Sequence, residues 1–333
     1  MKNSFKQKLR ILYIIDILAT KSDEDHLLSA NDIIRYLKED YGIDCERKTV
    51  YDCIDCLNEY GYEIIKSQSP RGYFMVPYHF ETAELRLLID AVQSANFISA
   101  KKTKALLKKF SAFASENQYK RLEKQVYIDN RSKSSNESIF YNIDILNTAI
   151  LQRNQVNVIY RRRKIVDGNC AEYEEKNMTI NPYALIWAND HYYLVGNYSK
   201  YDNLIHLRVD RLKSVEVTDK IARHFSTVSP YTTSFDIADY SYKHLSMFAG
   251  DIKPVELICK NDMIEEFMDR FGEKCFMKPF DNEHFLAKVD IAVTDGLVSW
   301  IMQFGDSIKV RGPKELKNMI IDKTNSILSL YNS

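Results

Sequence analysis

Three sets of residues carry side chains suited to phosphates and bases. The first is Arg47, Lys48 and Thr49 with Tyr51, and the second is Lys66 with Arg71. Cationic groups of this kind neutralise phosphate oxygens, while hydroxyl and ring groups reach base edges. The third set lies downstream: Arg161, Arg163, Tyr193, His206, Arg208 and Arg211. A guanidinium forks onto phosphate oxygens and stacks on rings, and Tyr193 can hydrogen-bond or stack against a base. The set therefore suits short single-stranded nucleic acid or a nucleotide.

Groupings that mark common enzymes are missing from the sequence. There is no His-Glu-x-x-His, no Gly-x-Ser-x-Gly and no phosphate-binding glycine loop. The 7 histidines are scattered, and 10 glycines leave little material for a dinucleotide loop. No catalysis, no cofactor and no metal is expected. Cys53 and Cys56 form a Cys-x-x-Cys pair near Cys45. No second pair follows at zinc-finger spacing, and both fall in a helical pattern, so they read as buried small side chains.

The elements that must hold these residues can be read from periodicity. Over Lys6–Thr20, Leu9, Leu12, Ile15 and Leu18 recur at helical intervals, and Ile11, Ile14 and Ile17 widen the apolar face. Ser29 reads as an N-cap with Asp32 in a capping-box position, opening a helix that ends near Tyr41-Gly42. From Glu46 to Tyr60 a third helix carries Val50, Ile54 and Leu57 on one face, and Gly61 ends it. Ile64 to Lys66 and Gly72 to Val76 flank a turn-rich stretch and read as a hairpin. Three helices and a wing make a winged helix-turn-helix. Its third helix presents Arg47, Lys48, Thr49 and Tyr51 at the end that reaches base edges in a major groove. Lys66 and Arg71 sit on the wing, where they would position more than specify. Asp52 and Asp55 confine contacts to the first turn. The same residues also fit a plain solvated helix start on a generic bundle.

Downstream, Leu85, Leu88, Ile89 and Val92 form one helical stripe and Leu106, Leu107 and Phe110 another, between Lys-rich faces. The Ser/Asn/Lys run Asn130–Ser138 reads as a linker, after which Ile143, Leu146 and Ile150 resume a helix. From Gln155 the chain becomes β-rich, with Val156–Tyr160, Tyr192–Val195 and Ile205–Val209 as strands of a small barrel-like unit. From Pro254 strands and helices alternate as in a split βαβ unit. Trp300 and Phe304, at i and i+4, read as core packing. The fold class is therefore α+β and multidomain. Its divisions are 1–78, the winged helix-turn-helix; 79–140, a helical linker; 141–225, the β unit; and 226–333, the C-terminal domain.

Bulk properties narrow the setting. With 46 Lys plus Arg against 46 Asp plus Glu, nucleic-acid contact has to come from a local patch. Arg10, Asp16, Lys21 and Asp23 interrupt any N-terminal apolar run, and no stretch of ~18 uninterrupted apolar residues appears, so a cytoplasmic protein without a membrane span is expected.

Several motifs in order resemble the WYL-domain family of bacterial regulators, which join a winged helix-turn-helix to a WYL domain and a C-terminal WCX extension. Thr49-Val50-Tyr51-Asp52 through Leu57 and Tyr60-Gly61-Tyr62 resemble its recognition helix. Asn181-Pro182-Tyr183-Ala184-Leu185, His191 to Val195 and Leu207 to Leu212 resemble its WYL signature. Gly296-Leu297 to Trp300, Phe304-Gly305 and Pro313 to Leu316 resemble WCX. Tyr192 stands where the family has its eponymous Trp, and Ile205 where many members carry an Arg. The resemblance implies a small Sm- or SH3-like β-barrel, a C-terminal split βαβ (ferredoxin-like) WCX domain, a regulatory ligand that is often nucleic acid, and homodimers on inverted repeats of double-stranded DNA.

Strand alternation places His206 and Arg208 on one face, with Arg211 joining them if the chain bends near Asp210, and gives Arg161 and Arg163 a shared face. Two other readings stay open. Asp210 fits an ion pair that fixes the barrel and Tyr193 fits the core, while the run Arg161–Lys164 fits solvated charge. Functionally, the leading expectation is a DNA-binding transcriptional regulator with a ligand-sensing domain. The rival is a nucleic-acid-binding scaffold of a defence or repair system, which would bind duplex weakly and without sequence preference.

Overall fold

A computed structural model describes residues 8–77, 79–127, 133–166 and 170–332, the side chains of 166, 170 and 171 excepted. Lys6, Gln7 and the stretch 130–132 of the expected linker lie outside the described residues. The chain is mixed α and β and divides into two units, Met1–Glu137 and Ser138–Ser333.

The first unit begins with helices α1 (Arg10–Lys21), α2 (Ala30–Tyr41) and α3 (Arg47–Tyr60), followed by the hairpin β1 (Ile64–Gln68) and β2 (Arg71–Met75). Their apolar stripes meet in one core of Ile14, Ile17, Leu18, Ile33, Leu37, Val50, Ile54, Leu57, Ile64 and Met75. Each such burial contributes ~1.5–3 kcal/mol. On the wide apolar face of α1, Ile14, Ile17 and Leu18 are buried, whereas Leu12 is 56% exposed. The Ser29 and Asp32 capping box forms as the spacing predicts, with Asp32 N donating to Ser29 Oγ at 3.2 Å and Ser29 N to Asp32 Oδ2 at 3.0 Å. Gly61 ends α3 at φ 115°, a conformation that suits glycine.

The hairpin is tied to the segment before α2. Leu28 N donates to Tyr73 O and Tyr73 N to Leu28 O, both at 2.8 Å. Gly72 permits this approach, because a Cβ there would lie 2.8 Å from Leu27 Cβ.

Helices α4 (Thr82–Ser94), α5 (Ala100–Phe110) and α6 (Glu116–Glu123) close over Leu85, Ile89, Leu107 and Leu122. They dock onto the end of α1. Ser115 Oγ donates to the buried Asp23 Oδ2 at 2.5 Å, Lys21 pairs with Glu116 at 2.5 Å, and Arg121 pairs with Asp25 at 2.8 Å. Burial alone would raise the Asp23 pKa, but hydrogen bonds from Ser115 and His26 hold it below the usual carboxylate value.

The second unit starts with α7 (Ile139–Gln152), which lays Ile139, Leu146 and Ala149 against a five-stranded antiparallel sheet. Its strands are β3 (Asn154–Val166), β4 (Cys170–Ala188), β5 (His191–Tyr198), β6 (Leu204–Arg208) and β7 (Leu212–Ile221), in the order β6-β5-β4-β3-β7. The two edge strands, β6 and β7, follow each other in the chain across the single turn Val209–Arg211. So short a link requires the sheet to curl until its edges approach. Helix α8 (Ile237–Lys243) packs Tyr240 against Ala184, Ile186 and Val195 on the sheet's outer face.

The chain then runs β8 (Ile252–Lys260), α9 (Ile264–Phe271), β9 (Phe276–Pro279), β10 (His284–Ala292), α10 (Asp295–Gln303), β11 (Ile308–Gly312) and α11 (Lys314–Tyr331). These strands form an antiparallel sheet in the order β11-β8-β10-β9, so β10 lies between the two strands that α9 connects. Trp300 and Phe304 pack with ring centroids 5.1 Å apart beside Phe267 and Phe271, the core role that their spacing predicts. Among the described residues no helix is long and apolar enough to cross a membrane.

Candidate functional site

In the first unit a cleft of about 190 Å³ gathers residues from three elements: Ser29, Ala30 and Asn31 from the start of α2, Arg47 and Tyr51 from α3, and Lys66, Arg71 and Tyr73 from the hairpin. Four of the six residues expected to meet DNA therefore converge. Arg47 and Tyr51 project from the first turn and a half of α3, Lys66 and Arg71 from the facing strands. Lys48 is exposed and Thr49 half-buried, and neither lines the cleft.

The cleft is held from within. Arg47 Nε donates to Asn31 Oδ1 at 2.8 Å, the Tyr51 and Tyr73 rings lie 6.2 Å apart, and Lys66 Nζ stands 6.0 Å from the Tyr73 ring centroid. Asn31 and Tyr73 are cleft residues that sequence reasoning missed. The N-cap signal at Ser29 placed the start of α2, yet nothing in the spacing says that the hairpin folds back beside it. Asp52 and Asp55 are exposed on α3 and outside the cleft lining.

In the second unit, His206 and Arg208 share a face, as alternation predicts, and ladder register sets Tyr193 opposite Arg208 and Val195 opposite His206, which adds Tyr193 to that face. Their circumstances differ. Arg208 grips Asp210 with two hydrogen bonds, Nε to Oδ1 at 3.0 Å and Nη2 to Oδ2 at 2.7 Å, so the ion pair considered from the sequence is present. Burial pushes the Tyr193 hydroxyl pKa up, against the opposing pull of Arg208. Arg211 is exposed at the turn. His191, which sequence reasoning passed over, lies 6.3 Å from Tyr193, and its buried Nδ1 has no hydrogen-bond partner.

His206 is occupied inside the protein. Its Nδ1 lies 2.5 Å from Met247 O and its Nε2 2.7 Å from Tyr240 Oη. A carbonyl only accepts, so Nδ1 carries the proton, and Nε2 accepts from the tyrosine. Burial lowers the imidazole pKa to about 4, leaving a neutral ring. Both nitrogens are thus engaged within the protein, Nε2 tying the edge of the sheet to α8 and Nδ1 tying it to the segment after α8, and the neutral ring brings no positive charge to an anion.

Arg161 and Arg163 do share a face, but Arg161 Nε donates to Glu175 Oε1 at 2.8 Å, and Lys213 joins the same carboxylate at 2.9 Å. Arg163 is exposed. Arg162, which the sequence reading left aside, faces the other way with Tyr160.

The Cys-x-x-Cys pair is divided by the helix. Cys53 packs against the core of the first unit, where burial raises its thiol pKa, whereas Cys56 is exposed rather than buried as its pattern suggested.

Comparison with known proteins places two domains on the chain. The family described as WYL domain matches residues 141–217, and the family described as WCX domain matches residues 262–328. No curated protein matches. Among solved structures, the proteasome accessory factor B/C (PafBC) of Arthrobacter aurescens is 15% identical with a TM-score of 0.29, over 97% of this chain and 49% of that one. The chain thus spans about half the length of that protein. A CRISPR Cas-related protein is 16% identical with a TM-score of 0.27, over 100% of this chain and 86% of the other.

Proposed function

We propose that this chain, a WYL-domain and WCX-domain protein, is a DNA-binding transcriptional regulator whose second unit senses a nucleic-acid or nucleotide ligand. In this reading α1 to α3 with the β1-β2 hairpin are a winged helix-turn-helix and α3 is its recognition helix. The curled five-stranded sheet is an Sm- or SH3-like barrel, and the four-stranded sheet with its helices is a ferredoxin-like WCX domain. The protein works in the cytoplasm as a homodimer on an inverted repeat, as a binding protein and not as an enzyme.

The observation that carries the reading is the convergence of Arg47 and Tyr51 with Lys66 and Arg71 on one cleft beside a second helix start. A helix tip in a major groove reads base edges, while hairpin cations follow the adjacent backbone. Tyr193 and Arg211, with Arg208 poised against Asp210, form the sensing face: a phosphate that competes with Asp210 for Arg208 would shift the turn joining β6 to β7. Arg163 is solvated charge in this account.

The test is selection of genomic fragments by the purified chain, followed by affinity measurement on the recovered duplexes. A regulator enriches particular upstream fragments and binds them at least about a thousandfold more tightly than scrambled duplex. Indifference to sequence would reject promoter regulation in favour of a scaffold.

A further inference from the structure

The concave side of the curled sheet opens beside edge strand β6 into a cavity of about 810 Å³. The rings of Tyr160, Tyr198, Tyr201 and Phe248 line it, beside the clamped His206, together with Arg162, Lys176 and Glu174. Ladder register pairs Tyr160 with Lys176 and Arg162 with Glu174, so these four side chains share one face of neighbouring strands. Lys176 Nζ stands 5.4 Å from the Tyr198 ring centroid and Arg162 Cζ 5.9 Å from that of Tyr160.

The charge state of these cations sets them apart. Arg161 and Arg208 are already matched by Glu175 and Asp210, but among the described residues no carboxylate lies within ion-pair distance of Arg162 or Lys176. Two unmatched cations beside rings offer a phosphate its counter-charge and a flat base its stacking surface. Glu174 limits the charge the cavity tolerates and can accept a hydrogen bond from an amino or sugar hydroxyl group.

The far wall is Met247, Phe248 and Ala249, on the connection that leads into β8. Ser246 and Met247 adopt left-handed φ values of 52° and 56°, which non-glycine residues rarely take, and His206 holds the Met247 carbonyl. An occupant would therefore touch both the sheet and a constrained link to the next domain.

We propose that this cavity binds a 5′-phosphorylated nucleoside, free or as the end of a short single strand, with the phosphate on Arg162 and Lys176 and the base against Tyr198 and Tyr201. The site is distinct from the Tyr193 and Arg208 face. It deepens the sensing role proposed above and rests on that reading for the class of ligand.

Calorimetric titration of the full chain tests the assignment, using AMP, a short 5′-phosphorylated single strand, the same strand without its phosphate, and inorganic phosphate. AMP or the phosphorylated strand binds, and the tighter of the two identifies the source. Arg162→Ala and Lys176→Ala each weaken that binding about tenfold or more, while Lys309→Ala, on a distant strand, leaves it unchanged. Absence of binding by either nucleotide probe overturns the proposal, as does affinity unmoved in both charge variants or phosphate binding as tightly as AMP. Duplex affinity measured with and without bound AMP reports separately on sensing: occupancy of the cavity with no change in duplex affinity retains the site and removes its regulatory role.

Discussion

Arg208 and Asp210 clasp each other across the turn that joins the two edges of the five-stranded sheet, with both guanidinium contacts at or below 3.0 Å. The pair is mostly shielded from water, so removing one partner strands the other charge. Arg208→Ala and Asp210→Ala are each expected to destabilise the second unit by ~1–3 kcal/mol. The double variant should cost clearly less than the sum, a coupling that urea unfolding of the full cycle measures. Additive losses would mean that the two residues act independently.

His206 should make stability depend on pH below neutrality. Its folded pKa of about 4 lies under the unfolded value near 6.5, so the unfolded chain takes up the proton first. Stability is then complete above about pH 6.5 and falls as pH drops toward 4, by ~3 kcal/mol from this ring. His244 is also lowered by burial and adds to the loss in the same direction. An NMR titration should show the His206 ring shifts unmoved at pH 5.5, and a midpoint near 6.5 would remove the clamp from the account.

Gly72 is the point at which the hairpin passes the segment before α2. A methyl group there meets Leu27 Cβ at 2.8 Å and Leu28 O at 3.2 Å, neither of them the far end of a flexible side chain. Gly72→Ala should cost ~1–3 kcal/mol and push Arg71 and Lys66 away from α3. Thermal unfolding and duplex binding should therefore worsen together, and unchanged values for both would show that the hairpin has room to give.

Much of the first unit was legible because its signals are local. The Ser29 and Asp32 box, Gly61 after α3 and the stripe of Val50, Ile54 and Leu57 all act within a turn or two of chain. Alternation likewise put His206 and Arg208 on one face. What spacing cannot carry is the partner from far away. Ser115 meets Asp23 across 92 residues, and His206 meets Met247 across 41, so a docking contact went unseen and a clamp read as a ligand contact. Similarly, alternation separates Arg162 from Arg161 and Arg163, but only the curl of the sheet decides which side encloses a cavity. Strand β4 was not read from the sequence; in its first half Glu172, Glu174, Glu175 and Lys176 give no apolar alternation, and its hydrogen-bonded partner β3 makes it a strand.

Lys66 lies on the hairpin, where a point charge contacts backbone without reading sequence. Lys66→Ala should weaken binding to specific and scrambled duplex alike and reduce the slope of log affinity against log salt by about 1. Anisotropy titrations between low and moderate salt measure that slope. A loss confined to the specific duplex would assign Lys66 a reading role instead.

The convergence of Arg47 with Arg71 at one cleft is the account's central claim, and duplex affinity of the Arg47→Ala, Arg71→Ala double variant tests it most directly. With a labelled fragment selected by the native chain, the account predicts a loss of about a hundredfold at unchanged thermal stability. Affinity within about twofold of the native chain would contradict it.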